Sequence, residues 1–308
     1  MDLLSLKKNK FFDILIYYLS QKKWVYETLI FKSYLFTKNT KKISNFNPII
    51  IGGCPRSGTT LFRSLLGMHT DIVCPEKEFN VLLWIEKTDM LQPAFDFTDK
   101  EVKKILEEYK DHISLAESIL KSYKTKKKAD LIGIKHPWHI SIIDNIFKNF
   151  PRAKFIHVIR DGRDTVCSLR THPKRKIVNG KIIPLKTCNP IDYCIRRWVS
   201  SINQGKKWRG KQNYLEVKYE DLIYNVVPSM KRVFDFLNLD MISKERILSF
   251  YKYEDEFKHP QNIEVGKSIY EKSVGRWKRD LSKKEIKMFK NMAGDLLIQL
   301  YYEKNNEW

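Results

Sequence analysis

Pro48-Ile49-Ile50-Ile51-Gly52-Gly53-Cys54-Pro55-Arg56-Ser57-Gly58-Thr59-Thr60 opens with a short, wholly apolar, β-branched run and ends it with glycines. Such a run marks a strand buried on both faces, the kind found in parallel sheets. An amphipathic helix is predicted to begin near Gly58. Strand, G-x-x-x-x-G from Gly53 to Gly58, two hydroxyl residues and then helix is the layout of a P-loop. Its glycines let the backbone turn tightly, so that successive N–H groups point inward, and the following helix adds its positive end.

A nucleoside triphosphatase needs Lys directly after the second glycine to reach the β- and γ-phosphates, and this chain has Thr59 there. The strong cation of the loop is Arg56. Triphosphate chemistry is therefore disfavoured, and a ligand with a single phosphoanhydride-like bridge suits the loop better.

Similar apolar runs lie at Leu131–Ile134, Lys154–Ile159 and Tyr214–Val217, with helical patterns at Ile140–Phe150, Asp161–Arg170 and Ile191–Trp208 between them. Strands alternating with helices imply βαβ units. The expected fold is α/β: a P-loop-containing nucleoside triphosphate hydrolase-like, three-layer α/β/α arrangement around a central parallel sheet. Two domains are expected, an N-terminal helical extension over 1–46 and the main domain over 47–308. The extension reads either as helices packed on the core or as an interfacial helix with a basic face, making peripheral membrane contact. Residues 254–280, with Pro260, Gly266 and Gly275 among charges, read as a long loop.

The 308 residues carry a formal net charge of +21, which points to an anionic partner or substrate. The lysines are scattered rather than gathered into a stripe, so nucleic acid is not the expected partner. Cys54, Cys74, Cys167, Cys188 and Cys194 show neither CxxC pairing nor disulfide-framework density, which fits a reducing compartment. Phe11–Leu19 is interrupted by Asp13 and falls far short of the roughly 20 apolar residues of a spanning helix. The chain as written is expected to be the mature protein, cytoplasmic, and soluble or membrane-peripheral.

Ile51-Gly52-Gly53-Cys54-Pro55-Arg56-Ser57-Gly58-Thr59-Thr60-Leu61 resembles the 5′-phosphosulfate loop of sulfotransferases that use 3′-phosphoadenosine 5′-phosphosulfate (PAPS), especially the tyrosylprotein sulfotransferases and related bacterial enzymes. Phe155-Ile156-His157-Val158-Ile159-Arg160-Asp161-Gly162-Arg163-Asp164-Thr165-Val166-Cys167-Ser168 resembles that family's strand and helix for the 3′-phosphate. Weaker similarity continues through Lys135-His136-Pro137, Trp198, Lys218–Leu222 and Val274–Trp277. The resemblance implies that Ser57, Gly58, Thr59 and Thr60 hold the 5′-phosphosulfate, and that Arg160 and Ser168 hold the 3′-phosphate. It implies further nucleotide contacts from Tyr219, Gly275 and Arg276. A guanidinium suits the 3′-phosphate because it can meet a phosphate with two parallel hydrogen bonds.

The resemblance also implies in-line transfer of a sulfuryl group to an acceptor hydroxyl or amine, with no metal. Charge on the bridging oxygen would be met by Arg56 and Lys135, the latter presented at the carboxyl edge of the sheet. For the base that takes the acceptor's proton, the family has adjacent glutamates, the second being the base, and here that second position is Lys77. Glu76 and Glu78 flank it; Glu76 is preferred because its position matches a family acid, with His69 and His136 as lesser candidates. The acceptor, a glycan, peptide tyrosine, lipid or metabolite, would be read by the loops Thr171–Asn189 and Glu254–Lys272. Lys174, Arg175, Lys176, Lys181 and Lys186 there suggest that it is acidic. The competing readings are a divergent P-loop nucleotide or sugar kinase, and a non-catalytic basic protein that binds nucleic acid or membrane.

Overall fold

The computed structural model describes residues 43–76, 78, 82, 95–108, 111–171, 174–178, 181–185, 189–250 and 273–308. Nearly all of the expected N-terminal extension, Lys77 and residues 251–272, which include most of the loop read over 254–280, lie outside the described residues. Residues 42–308 form one compact unit.

In chain order the elements are β1 (Ile49–Gly52), α1 (Thr59–Leu66), β2 (Ile72–Val73), α2 (Asp99–Glu108), α3 (His112–Lys126) and β3 (Leu131–Lys135). A 3-10 turn at Pro137–Ile142 leads into α4 (Ile143–Asn149), β4 (Lys154–Ile159) and α5 (Gly162–Arg170). Then come β5 (Lys174–Val178), β6 (Lys181–Leu185), α6 (Ile191–Lys206) and β7 (Tyr214–Lys218). The helices α7 (Tyr219–Tyr224), α8 (Val226–Leu237), α9 (Lys244–Leu248), α10 (Trp277–Asp280) and α11 (Lys283–Gln299) complete the described chain.

The central sheet has the order β2-β3-β1-β4-β7, and each of its pairings is parallel. Alternation along the strands loads both faces. Ile49 and Ile51 join Ile156 and Val158 on one face, where Leu61, Phe62 and Leu65 of α1 and Met230, Val233 and Phe234 of α8 cover them. A second core gathers Ile159 with Val166 and Leu169 of α5, Cys194, Ile195 and Trp198 of α6, and Phe289 and Leu297 of α11. Full burial of an aliphatic side chain such as Ile50, which is 0% exposed, contributes about 1.5–3 kcal/mol. That explains why β1 carries no polar residue.

The topology also makes the crevice. The chain leaves β1 through α1, which joins the first core, and leaves β4 through α5, which joins the second. Neighbouring strands whose helices depart to opposite faces leave an opening beyond their carboxyl ends, where open α/β sheets bind ligands. The register sets Ile51 beside Lys135 and Gly52 beside His157, so β3 and β4 end at this same edge.

The predicted fold class is the one observed, with local differences. β2 is only two residues long, too short to show a periodicity, and was not anticipated; Asp71 O anchors its turn by accepting from Asp130 and Leu131. Part of the expected loop Thr171–Asn189 is an antiparallel ribbon, β5 with β6, in which Ile177 pairs with Ile182. Asn179-Gly180 between two β-prone runs is the usual signal for such a hairpin. The helix predicted from Ile140 begins as a 3-10 turn, started by Pro137 and capped by His136, whose Nδ1 accepts from Trp138 N at 3.2 Å. Of the loop read over 254–280, the described end forms a turn at Gly275 and the helix α10.

Candidate active site

Glycine is required where the loop leaves β1 and where α1 begins. A Cβ on Gly53 would lie 2.4 Å from Val158 O. Gly58 has φ 96°, and a Cβ there would lie 2.2 Å from Cδ2 of Tyr219, whose buried ring packs against it. Ser57 shapes the loop: its N–H donates to Cys54 O at 3.0 Å and its hydroxyl to Val158 O at 2.9 Å. Gly58 brings no side-chain cap to α1, and the first turn holds no acidic residue. The N–H groups that open this helix thus meet no side-chain cap, at the end where the helix dipole favours an anion.

On one side of the loop stands Lys135, the last residue of β3, only 4% exposed. Its Nζ donates to Thr60 Oγ1 at 3.1 Å and forms a close ion pair with Glu78. Burial works against the ionised form of Glu78, but Lys135, His136 and Arg63 outweigh it and hold the carboxyl below its usual range. Burial lowers His136 to about 4, with Lys135 and Arg197 adding to the shift and Glu78 opposing it, so this imidazole is neutral near pH 7. Glu76 is exposed.

On the other side, Arg56 Nε donates to Ser168 Oγ at 3.1 Å, joining the loop to α5 across 112 residues of sequence. Arg160, at the end of β4, donates through NH1 to Arg56 O at 3.2 Å and through NH2 to Ser273 O. Its guanidinium lies 4.5 Å from the centroid of the Tyr219 ring, and Tyr219 in turn hydrogen-bonds Ser273 through its hydroxyl at 2.7 Å. Buried Nε of Arg160 has no partner among the described residues, a feature of a cation still able to receive an anion. Burial and Arg160 both lower the pKa of Arg56, with Glu78 opposing, which reflects guanidinium groups crowded together.

Among the described residues, neither neighbouring aspartate forms an ion pair with Arg160. Asp161 pairs with Arg163, and the Asp164 carboxylate accepts from the N–H groups of Gly275 at 2.7 Å and Trp277 at 3.0 Å. Burial and the nearby Asp161 raise Asp164, while those two N–H groups and Arg160 pull the other way.

The family model for the sulfotransferase family matches residues 48–243, from the start of β1 to just before α9. The chain belongs to the sulfotransferase family. Protein-tyrosine sulfotransferase A of Caenorhabditis elegans is 26% identical over 237 residues, which cover 74% of this chain and 56% of that protein. The chain spans about half the length of the curated relatives it matches. Among solved structures, the sulfotransferase domain of the Synechococcus PCC 7002 olefin synthase superposes with a TM-score of 0.57 at 20% identity, covering 83% of this chain and 98% of that one. Mouse sulfotransferase SULT7A1 complexed with PAP superposes with a TM-score of 0.54 at 14% identity, covering 87% and 91%. At these identities the likeness establishes the fold.

In this member of the sulfotransferase family, the two motifs named from sequence meet at one sheet edge. Arg56, Arg160, Ser168 and Tyr219 are linked on one side of the loop, and Thr60, Lys135 and Glu78 on the other. Gly275 is tied to the site through Asp164, whereas Arg276 directs its Nε to Asp280 at 2.7 Å. Of the two glutamates, Glu78 reaches Lys135. His69 is held against Asp240 O at 3.0 Å, well placed for a structural role. Sequence reasoning missed Asp164 and Ser273. Asp164 stood within the quoted 3′-phosphate motif and was the available signal; Ser273 carried none. Among the described residues no group of His, Cys, Asp and Glu could hold a metal, and no helix is long and apolar enough to cross a membrane.

Proposed function

We propose that this chain transfers a sulfuryl group from PAPS to a hydroxyl or amine of an acceptor, and that the site above is where it does so. The observation that carries the reading is the bond from Arg56 to Ser168 together with that from Arg160 to the Arg56 carbonyl. These place two guanidinium groups and a hydroxyl together at one end of an anion-binding loop. A ligand with phosphate at both ends of a nucleoside needs such an arrangement, and the mouse structure with PAP is of that fold.

The donor would supply the sulfuryl group and leave as adenosine 3′,5′-bisphosphate (PAP). The opening N–H groups of α1 hold the 5′ end, while Arg160 and Ser168 hold the 3′-phosphate. Lys135, fixed beside Thr60, meets the negative charge that grows on the bridging oxygen as its bond to sulfur breaks. Glu78, kept ionised by its basic neighbours, takes the acceptor's proton as the new bond to sulfur forms. This assignment prefers Glu78 to Glu76 because Glu78 contacts Lys135. The basic segment 171–189 favours an acidic acceptor.

The test compares nucleotides: PAP should raise the melting temperature more than ADP does. Equal shifts with the two would sink the 3′-phosphate assignment. Transfer of label from radioactive PAPS to fractionated cell extracts would then define the acceptor.

A further inference from the structure

Arg163 takes no part in the chemistry outlined above, yet it is 97% buried and its guanidinium is engaged on several sides. Its Nε donates to Asp161 Oδ1 at 3.0 Å and its NH2 to Asp161 Oδ2 at 2.7 Å. Its NH1 reaches Glu303. The guanidinium carbon lies 3.9 Å from the ring centroid of Trp277 and 4.6 Å from that of Trp308. A second bridge runs parallel to the first: Tyr302 Oη donates to Glu220 Oε2 at 2.9 Å, and Glu220 Oε1 accepts from Asp161 N at 2.9 Å. Residues 302–308, more than 130 positions along the chain, thus bear on one turn, Asp161 to Arg163.

That turn lies between the two proposed 3′-phosphate ligands, Arg160 and Ser168, and Asp161 caps the helix that carries Ser168. It has no slack of its own. A Cβ on Gly162 would lie 2.6 Å from Phe289 and Trp198, and Trp198 Nε1 holds the Arg160 carbonyl at 3.1 Å. We infer that Glu303 and Trp308 are positioning residues for the donor site, acting through Arg163 to fix the spacing of Arg160 and Ser168 and so to set selectivity for a 3′-phosphate. The inference rests on the donor reading given above. Physically, a bidentate phosphate contact tolerates little displacement of its donors. A buried Arg held by carboxylates and indole faces is stiff enough to transmit that constraint.

The test measures dissociation constants of PAP and of adenosine 5′-monophosphate (AMP), which lacks the 3′-phosphate, by calorimetry on the full chain. Wild type is compared with Glu303→Gln, Trp308→Ala and the conservative Trp308→Phe. The clamp predicts that Trp308→Ala weakens PAP about tenfold, the worth of one charge-assisted hydrogen bond. Glu303→Gln should weaken it several-fold, AMP should change little in either, and Trp308→Phe should recover most of the loss. A lower melting temperature with the ratio of AMP to PAP constants unchanged would mean that the tail only stabilises the fold, and would overturn the clamp. Should Trp308→Ala not fold, Glu303→Gln, equal in size to the native side chain, decides by the same ratio. If wild type itself binds PAP and AMP alike, the donor reading falls, and the clamp with it.

Discussion

Replacing Arg160 by alanine removes the guanidinium proposed to separate a 3′-phosphorylated donor from ADP-like nucleotides. The native guanidinium is 94% buried, lies on the Tyr219 ring and donates to Arg56 O and Ser273 O. Two charge-assisted hydrogen bonds to a phosphate, at about 1.5 kcal/mol each by the lower figure for such bonds, amount to about 3 kcal/mol, or roughly 100-fold in affinity. In a thermal-shift assay, wild type with PAP at 100 times its dissociation constant gains about 2.7 kcal/mol. The variant at the same concentration would gain only about 0.4 kcal/mol. For a chain of this size that is a shift of about 4–5 °C reduced to less than about 1 °C. Arg160→Ala also frees Arg56 O and Ser273 O, so part of its loss will be shared by ADP. The diagnostic quantity is therefore the PAP preference over ADP, not the absolute shift. A preference that survives in Arg160→Ala would refute the placing of the 3′-phosphate at this residue.

Lys135→Met should lower kcat about 10²–10³-fold, the usual scale for losing one fixed donor to a developing oxyanion, with PAP binding little changed by calorimetry. Glu78→Gln should cost about 10²–10⁴ in kcat, while Glu76→Gln should stay near wild type in the same transfer assay; the reverse order would move the base to Glu76. Because Glu78 titrates below its usual 4.5 in the folded chain, its pair with Lys135 contributes stability above that pH. The contribution is lost as pH falls through the lower folded value, so Glu78→Gln should flatten the acid limb of a melting-temperature profile. Gly58→Ala places a side chain at φ 96° and 2.2 Å from Tyr219. A stability loss of at least about 1 kcal/mol is expected from denaturant melts, together with loss of PAP binding.

Much of the architecture was legible in the order of residues. Ile49–Ile51 read as a strand buried on both faces, and Gly53 and Gly58 at their spacing read as a loop shaped for an anion. These are local matters, set by side-chain branching and by the absence of a Cβ. Thr59 in place of Lys and the segment Arg160–Ser168 were equally local and pointed to the donor. The short β2 and the ribbon β5–β6 were harder. Two residues carry no periodicity, and a hairpin whose strands mix lysine with isoleucine resembles a basic loop unless Asn179-Gly180 is given its weight.

What needed the tertiary structure was the pairing of groups distant in sequence. Order alone favoured Glu76, because its position matched a family acid; packing brought Glu78 to Lys135. Ser57 read as a phosphate ligand, and the fold engages its N–H with Cys54 O in the loop and its hydroxyl with Val158 O of β4. Arg160 had two aspartates next to it in the chain, but Asp161 turns to Arg163 and Asp164 to the backbone of Gly275 and Trp277. The sequence by itself determined most of the central strands and helices and the glycine-bounded loop at the end of β1, since those follow from steric rules acting within a few residues. Only the closing of the sheet decided which charge meets which, because electrostatic partners are chosen by distance in space and by burial.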